Sequence, residues 1–86
     1  MILCCGEALI DMLPRHTAAG EPAFAPHAGG AVFNTAIALG RLGVPAGFFS
    51  GLSTDLMGEI LTGTLSASNV DWALAARSGR LSLIHI

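Results

Sequence analysis

Lysine is absent from the sequence, and the four basic residues are all arginine, at positions 15, 41, 77 and 80. Without lysine no G-x-x-x-x-G-K-[ST] phosphate loop can exist. Scattered arginines in a chain of net charge -2 form no basic stripe, which excludes a nucleic-acid-binding surface. Charge of either sign is scarce: 12% of residues are charged and 52% are hydrophobic. That balance is too apolar for a disordered chain and low in charge for the surface of a small independent domain. A chain of 86 residues buries only about 60–65% of the surface it exposes when unfolded, so its stability alone is marginal. The composition reads as a segment whose apolar faces are covered by more chain.

Other chemistries are excluded by what is missing. The two cysteines, Cys4 and Cys5, are adjacent. Neighbouring strand residues point to opposite faces, which suits neither a disulfide framework nor a metal site. They read as two small core residues in a reducing, cytoplasmic compartment. His16, His27 and His85 are isolated, so no metal ligand set is expected. No G-x-S-x-G hydrolase elbow is present, and no G-x-G-x-x-G follows the first strand. No basic region precedes the first apolar run, and Glu7 and Asp11 interrupt it, which argues against a secretory signal. No run reaches the ~18 apolar residues of a membrane span.

What is present alternates. Ile2 to Leu9 is an apolar run suited to a buried strand, with Asp11 just past its end. Residues 13–28 hold Pro14, Gly20, Pro22 and Pro26 and have no helical period, which predicts a loop with short edge strands. Gly29-Gly30 opens a helical stretch in which Phe33, Ile37 and Arg41 share a face, and Gly43-Val44-Pro45 ends it. Ala46 to Leu52 is a second strand. Ser53 or Thr54 is the expected cap of a helix from about Asp55 to Ala67, stopped at Asn69. Val70 to Ala76 is a third strand with Val70, Trp72 and Leu74 on one face. Strands alternating with helices imply βαβ units and a parallel sheet.

A polar constellation falls at the carboxyl ends of these strands, the edge where open α/β sheets bind ligands. It comprises Asp11, Gly29, Gly30 and Asn34. A carboxylate accepts from two adjacent hydroxyls, an amide both donates and accepts, and glycines admit a ligand close to the backbone. Together they would suit a neutral polyol. Each also has an ordinary reading: Asp11 as a turn or cap residue, Gly29-Gly30 as a turn, and Asn34 as a satisfied helix residue.

Taken together, GEALIDMLP, then GGAVFNTAIALGRLG, then GLSTDLMGEIL resemble the N-terminal region of ribokinase-like (PfkB-type) carbohydrate kinases. The resemblance runs from about Ile2 to Ala76, is most specific over Gly29 to Gly58, and in wording is nearest to fructokinases. It implies a truncated α/β ribokinase-like (Rossmann-like) three-layer fold with parallel strands and a small β lid at about 13–28. It implies that Asp11, Gly30 and Asn34 contact the sugar, with Gly29 beside them. Gly51, Asp55 and Gly58 match the first family signature and carry a mainly structural role. The lid would close over the sugar and, in some members, build a homodimer interface. The family transfers the ATP γ-phosphoryl to a sugar hydroxyl with an aspartate base in a Gly-Ala-Gly-Asp motif. ATP and Mg2+, with a monovalent cation as an optional addition, would bind in the C-terminal half. No such motif is present here, so no residue of this chain is assigned as catalytic. Residues 77–86 depart from the family wording and are expected to form a non-matching tail, with Leu81 to Ile86 contributing nothing to function.

Three readings follow. The chain is the sugar-binding portion of an ATP-dependent kinase, inactive by itself; or a non-catalytic sugar-binding module; or a dimerisation piece. Fructose is the first choice of sugar, with 2-keto-3-deoxygluconate, ribose and nucleosides as alternatives.

Overall fold

The computed structural model describes the chain apart from Leu74, residues 80–82 and Ile86, with only the backbone described for Ser78 and residues 83–85. The elements run β1 (Ile2–Cys5), β2 (Leu9–His16), β3 (Pro22–Gly29), α1 (Ala31–Arg41), β4 (Ala46–Phe49), β5 (Gly51–Ser53), α2 (Leu56–Ala67), β6 (Val70–Asp71), β7 (Ala76–Ser78) and β8 (Leu83–His85). They form a parallel sheet β1-β4-β6, a second sheet β3-β2-β8 at the position expected for the lid, and a two-stranded parallel pair β5-β7. The expected α/β class with parallel strands is what forms.

The parallel sheet lies in register Ile2↔Ala46↔Val70 and Cys4↔Phe48 on one face. That face meets α1, whose buried stripe is Phe33, Ala36, Ile37 and Gly40. The stripe follows i, i+3, i+4, i+7 spacing. Arg41, expected on this face, is instead exposed one step round the helix. The rings of Phe33 and Phe48 meet edge to face, with centroids 5.5 Å apart at 86°. Such a pair contributes about 0.5–1.5 kcal/mol beyond its area burial. The opposite sheet face carries Leu3 and Phe49, which are 51% and 46% exposed and so are not core here. Cys4 is buried as expected, but Cys5, also expected in the core, is exposed, because alternation turns it to the uncovered face.

Helix α1 ends in a Schellman motif: the Val44 amide donates to the Leu39 carbonyl at 3.0 Å and the Gly43 amide to the Gly40 carbonyl at 3.1 Å. Gly43 takes φ 81, and Asn69 plays the same left-handed part after α2 at φ 60.

Several expectations change. The first apolar run is two strands, because it breaks at Gly6, whose amide donates to the Phe49 carbonyl at 3.2 Å. Asp11 is therefore the third residue of β2 rather than a residue beyond a strand, and Glu7 is in the link between β1 and β2 rather than within a strand. Within residues 13–28 only 17–21 form a turn, and the strands are longer than the short ones expected. They complete an antiparallel ladder in which all eight residues of β2 pair with all eight of β3. The prolines permit this by their spacing. Pro14, Pro22 and Pro26 fall on alternate pairs, with Phe24, His16 and Met12. Alternate antiparallel pairs exchange no hydrogen bonds across the ladder, so the missing N–H groups are not needed there. Moreover β3 is an edge strand, and β8 pairs only with Leu9 to Asp11, short of Pro14.

The second apolar run also divides, at Ser50, into β4 and β5. The third strand stops at Asp71, where the Asp71 carboxylate accepts from the Ala73 amide at 2.9 Å and turns the chain. Trp72 leaves the strand and donates from Nε1 to Ser66 Oγ at 2.8 Å. Leu74 lies outside the described residues. The boundary expected after Ala76 falls at the start of β7, not between elements. Arg77 fixes that strand: its guanidinium donates to the Ser53 carbonyl at 2.8 and 3.1 Å, pairs with Glu59 at 3.3 Å and lies over the Trp72 ring. Further along, β8 adds a parallel strand to the lid sheet beside Asp11.

Helix α2 is capped by Asp55, not by Ser53 or Thr54. Its Oδ1 accepts from the Gly58 amide at 2.9 Å and from Ser53 Oγ at 2.5 Å. A Cβ on Gly58 would run into the Ser53 carbonyl, so the spacing D-x-x-G is needed for helix and loop to meet. Asp55→Ala should lower the unfolding free energy by about 1–2 kcal/mol, and Asp55→Ser by much less. Denaturant titration checks this, and equal stability of all three proteins would refute the cap.

Candidate functional site

Asp11 lies on the face of β2 that carries Leu9 and Leu13, opposite the face of Ile10, which is fully buried in the core. The core therefore holds the strand by Ile10 and turns Asp11 away from it, half-buried. The carboxylate rests against Gly29, the last residue of β3. Any Cβ at Gly29 would overlap Asp11 Oδ2. Gly30 follows at φ 111, a backbone conformation that side chains rarely adopt, and caps α1 without a side-chain hydrogen bond. The Gly-Gly pair thus has two separate tasks: Gly29 admits the carboxylate, and Gly30 turns the chain into the helix.

The first-turn amides of α1 have no intrahelical partner, and the helix begins here with no acidic side chain in its first turn. Asn34 stands one turn in. Its amide donates to the Gly30 carbonyl at 2.8 Å and its side chain is exposed. It borders a shallow groove along α1 with Ile37, Ala38, Arg41 and Leu42. The structure thus brings Asp11 and Gly29 into contact, sets Gly30 next to them, and places Asn34 on the helix that Gly30 starts. Among the described residues no group of three or more His, Cys, Asp or Glu is placed to hold a metal ion. No described helix is long and apolar enough to cross a membrane.

Sequence reasoning missed one neighbour. His27, read there as isolated, is the residue directly opposite Asp11 on β3. The backbone of His85 pairs with Asp11 from the other side, on β8. The available signal was the parity of the proline positions, which is compatible with a paired hairpin, but a Pro-rich stretch reads as loop when taken residue by residue.

The chain belongs to the pfkB family carbohydrate kinases, whose sequence profile matches residues 1–80. It is 68% identical over 84 residues to a fructokinase from Rhizobium leguminosarum bv. trifolii, a match that covers 98% of this chain and 26% of that protein. The structure of Xylella fastidiosa fructokinase with bound ATP superimposes with a TM-score of 0.87 at 35% identity, covering 96% of this chain and 28% of that one. Aminoimidazole riboside kinase from Salmonella enterica, complexed with aminoimidazole riboside and an ATP analogue, gives 0.80 at 25% identity over 94% of this chain and 26% of that one. The chain spans about a quarter of the length of these relatives.

Relatives that bind ATP raise the question of whether this site fits a triphosphate. It does not. Asp11 places a carboxylate where a phosphate would approach Gly29, and the Glu7 carbonyl closes on Gly30, 3.1 Å from where its Cβ would be. The basic residue of α1, Arg41, is at the far end of the helix. An acceptor-rich opening of this kind suits hydroxyl donors.

The Asp11–Gly29 contact is measurable. Gly29→Ala should destabilise the protein by about 1–3 kcal/mol. In an Asp11→Ala background the same change should cost at least about 1 kcal/mol less, because the overlapping carboxylate is gone. Denaturant unfolding of the four proteins checks this, and an identical cost in both backgrounds would remove the contact.

Proposed function

We propose that this chain forms the sugar-binding part of an ATP-dependent fructokinase. The observation that carries the reading is the seat of Asp11: a half-buried carboxylate on a lid strand, held against Gly29 at the start of α1. Identity of 68% to a fructokinase supports fructose as the sugar. In this reading Asp11 accepts hydrogen bonds from two sugar hydroxyls, Gly30 lets the ring approach the backbone, and Asn34 completes the pocket from α1. The β2–β3 hairpin acts as the lid.

The reaction joins a sugar hydroxyl oxygen to the γ-phosphorus of ATP as the bond to ADP breaks, and the hydroxyl proton passes to a base. Phosphoryl transfer depends mainly on positioning and on stabilising charge at the transferring group. This chain contributes positioning. The base and the nucleotide site are assigned outside residues 1–86, since the sequence contains no Gly-Ala-Gly-Asp motif and no lysine.

Two outcomes follow. The 86-residue chain purified alone should show no ATP-dependent phosphorylation of fructose, ribose or 2-keto-3-deoxygluconate in a coupled ADP-release assay. Turnover would refute the placement of the base elsewhere. In the whole kinase carrying this chain, Asp11→Ala should raise the fructose KM by about a hundredfold and lower kcat as well, the loss of two hydrogen bonds to a charged acceptor. An unchanged KM would take Asp11 out of the pocket.

A further inference from the structure

We propose that His27 is a second sugar-contacting residue, paired with Asp11 across the lid strands to read adjacent hydroxyls. The inference rests on the reading of Asp11 as a sugar ligand and adds a determinant of which sugar is accepted.

The register carries the argument. Asp11 and His27 are direct partners in the antiparallel β2–β3 ladder. Direct partners project from the same face, with Cβ atoms about 4.5–5.5 Å apart. The other face of this hairpin carries Ile10, fully buried, and Ala28, packed on the core. Asp11 and His27 therefore share the face turned away from the core. His27 is exposed and Asp11 half-buried, so the imidazole stands at the rim of the place where the carboxylate forms the floor.

The pair's nearest neighbours on that face are Leu9 and Leu13 on β2 and Ala25 and Gly29 on β3, with Arg15 and Ala23 further out towards the turn. Gly29 contributes no side chain, and the carboxylate lies over it. Between Leu9 and Leu13 the face thus presents one acceptor-only group and one group that both donates and accepts, set among small or apolar neighbours. A sugar ring matches this pattern. Its hydroxyl edge meets the two polar groups and its C–H surface meets Leu9, Leu13 and Ala25. A carboxylate alone would accept any pair of hydroxyls. An imidazole one strand away fixes where a further hydroxyl must be, which makes the pair selective among sugars.

The test uses the whole kinase carrying this chain, with D-fructose and its 1-deoxy, 3-deoxy and 4-deoxy analogues, in wild type, His27→Ala, His27→Gln and Asp11→Ala. A site built to bond a hydroxyl discriminates against the analogue lacking it. His27→Ala should raise the fructose KM about tenfold with kcat within a factor of about two, and should abolish the kcat/KM penalty against one deoxy sugar while keeping the others. His27→Gln should restore part of that penalty. A merely structural role would lower use of all four sugars alike. If His27→Ala keeps every deoxy penalty of the wild type, the assignment of His27 is overturned while a large effect of Asp11→Ala leaves the pocket standing. If Asp11→Ala is silent too, the pocket itself is misplaced and the His27 assignment falls with it.

Discussion

Everything in this chain converges on one steric fact: a carboxylate on β2 occupies the space that a side chain on the last residue of β3 would take. The hairpin leaves the parallel sheet after β1 and must return to start α1. Its two ends meet at Glu7–Ala8 and Gly29–Gly30, where backbone lies against backbone. A side chain at Gly29 would push Asp11 off, and one at Gly30 would strain the turn into the helix. The same few atoms therefore root the lid, start the helix and orient the acid.

The second signature-like stretch solves a different problem. Asp55, Gly58 and Ser53 lock the loop after β5 onto the start of α2, and Arg77 ties the same Ser53 carbonyl to β7 and Glu59. One carbonyl thus ties the β5-β7 pair, through Arg77, to the first turn of α2. Its partners are a charged donor and a glycine approach, both of which tolerate little substitution. This region is architecture.

Much of this was legible in the sequence. The helices, their stops at Gly43 and Asn69, the parallel class and the grouping of Asp11 with the Gly-Gly pair follow from spacing and turn chemistry. The lid was harder. Residue-level propensity treats three prolines as loop markers, whereas their even spacing leaves a hydrogen-bonded ladder intact. Once that ladder is missed, His27 has no partner and Asp11 falls past a strand instead of inside one. The cap of α2 was misplaced by one or two residues because Ser53, Thr54 and Asp55 are all good caps by type. Only tertiary packing, with Ser53 turned to bond Asp55, decides among them. Short strands such as β7 and β8 depend on distant partners and leave almost no local pattern.

The prolines have an effect beyond the hairpin itself. Those of β3 point their missing N–H groups outward, on the free edge of the lid sheet. An exposed strand edge is a template on which another chain can build, and it is how many proteins begin to aggregate. Here the edge offers a gapped row of donors that no incoming strand can match. Another molecule can meet this hairpin across its faces more readily than along the β3 edge.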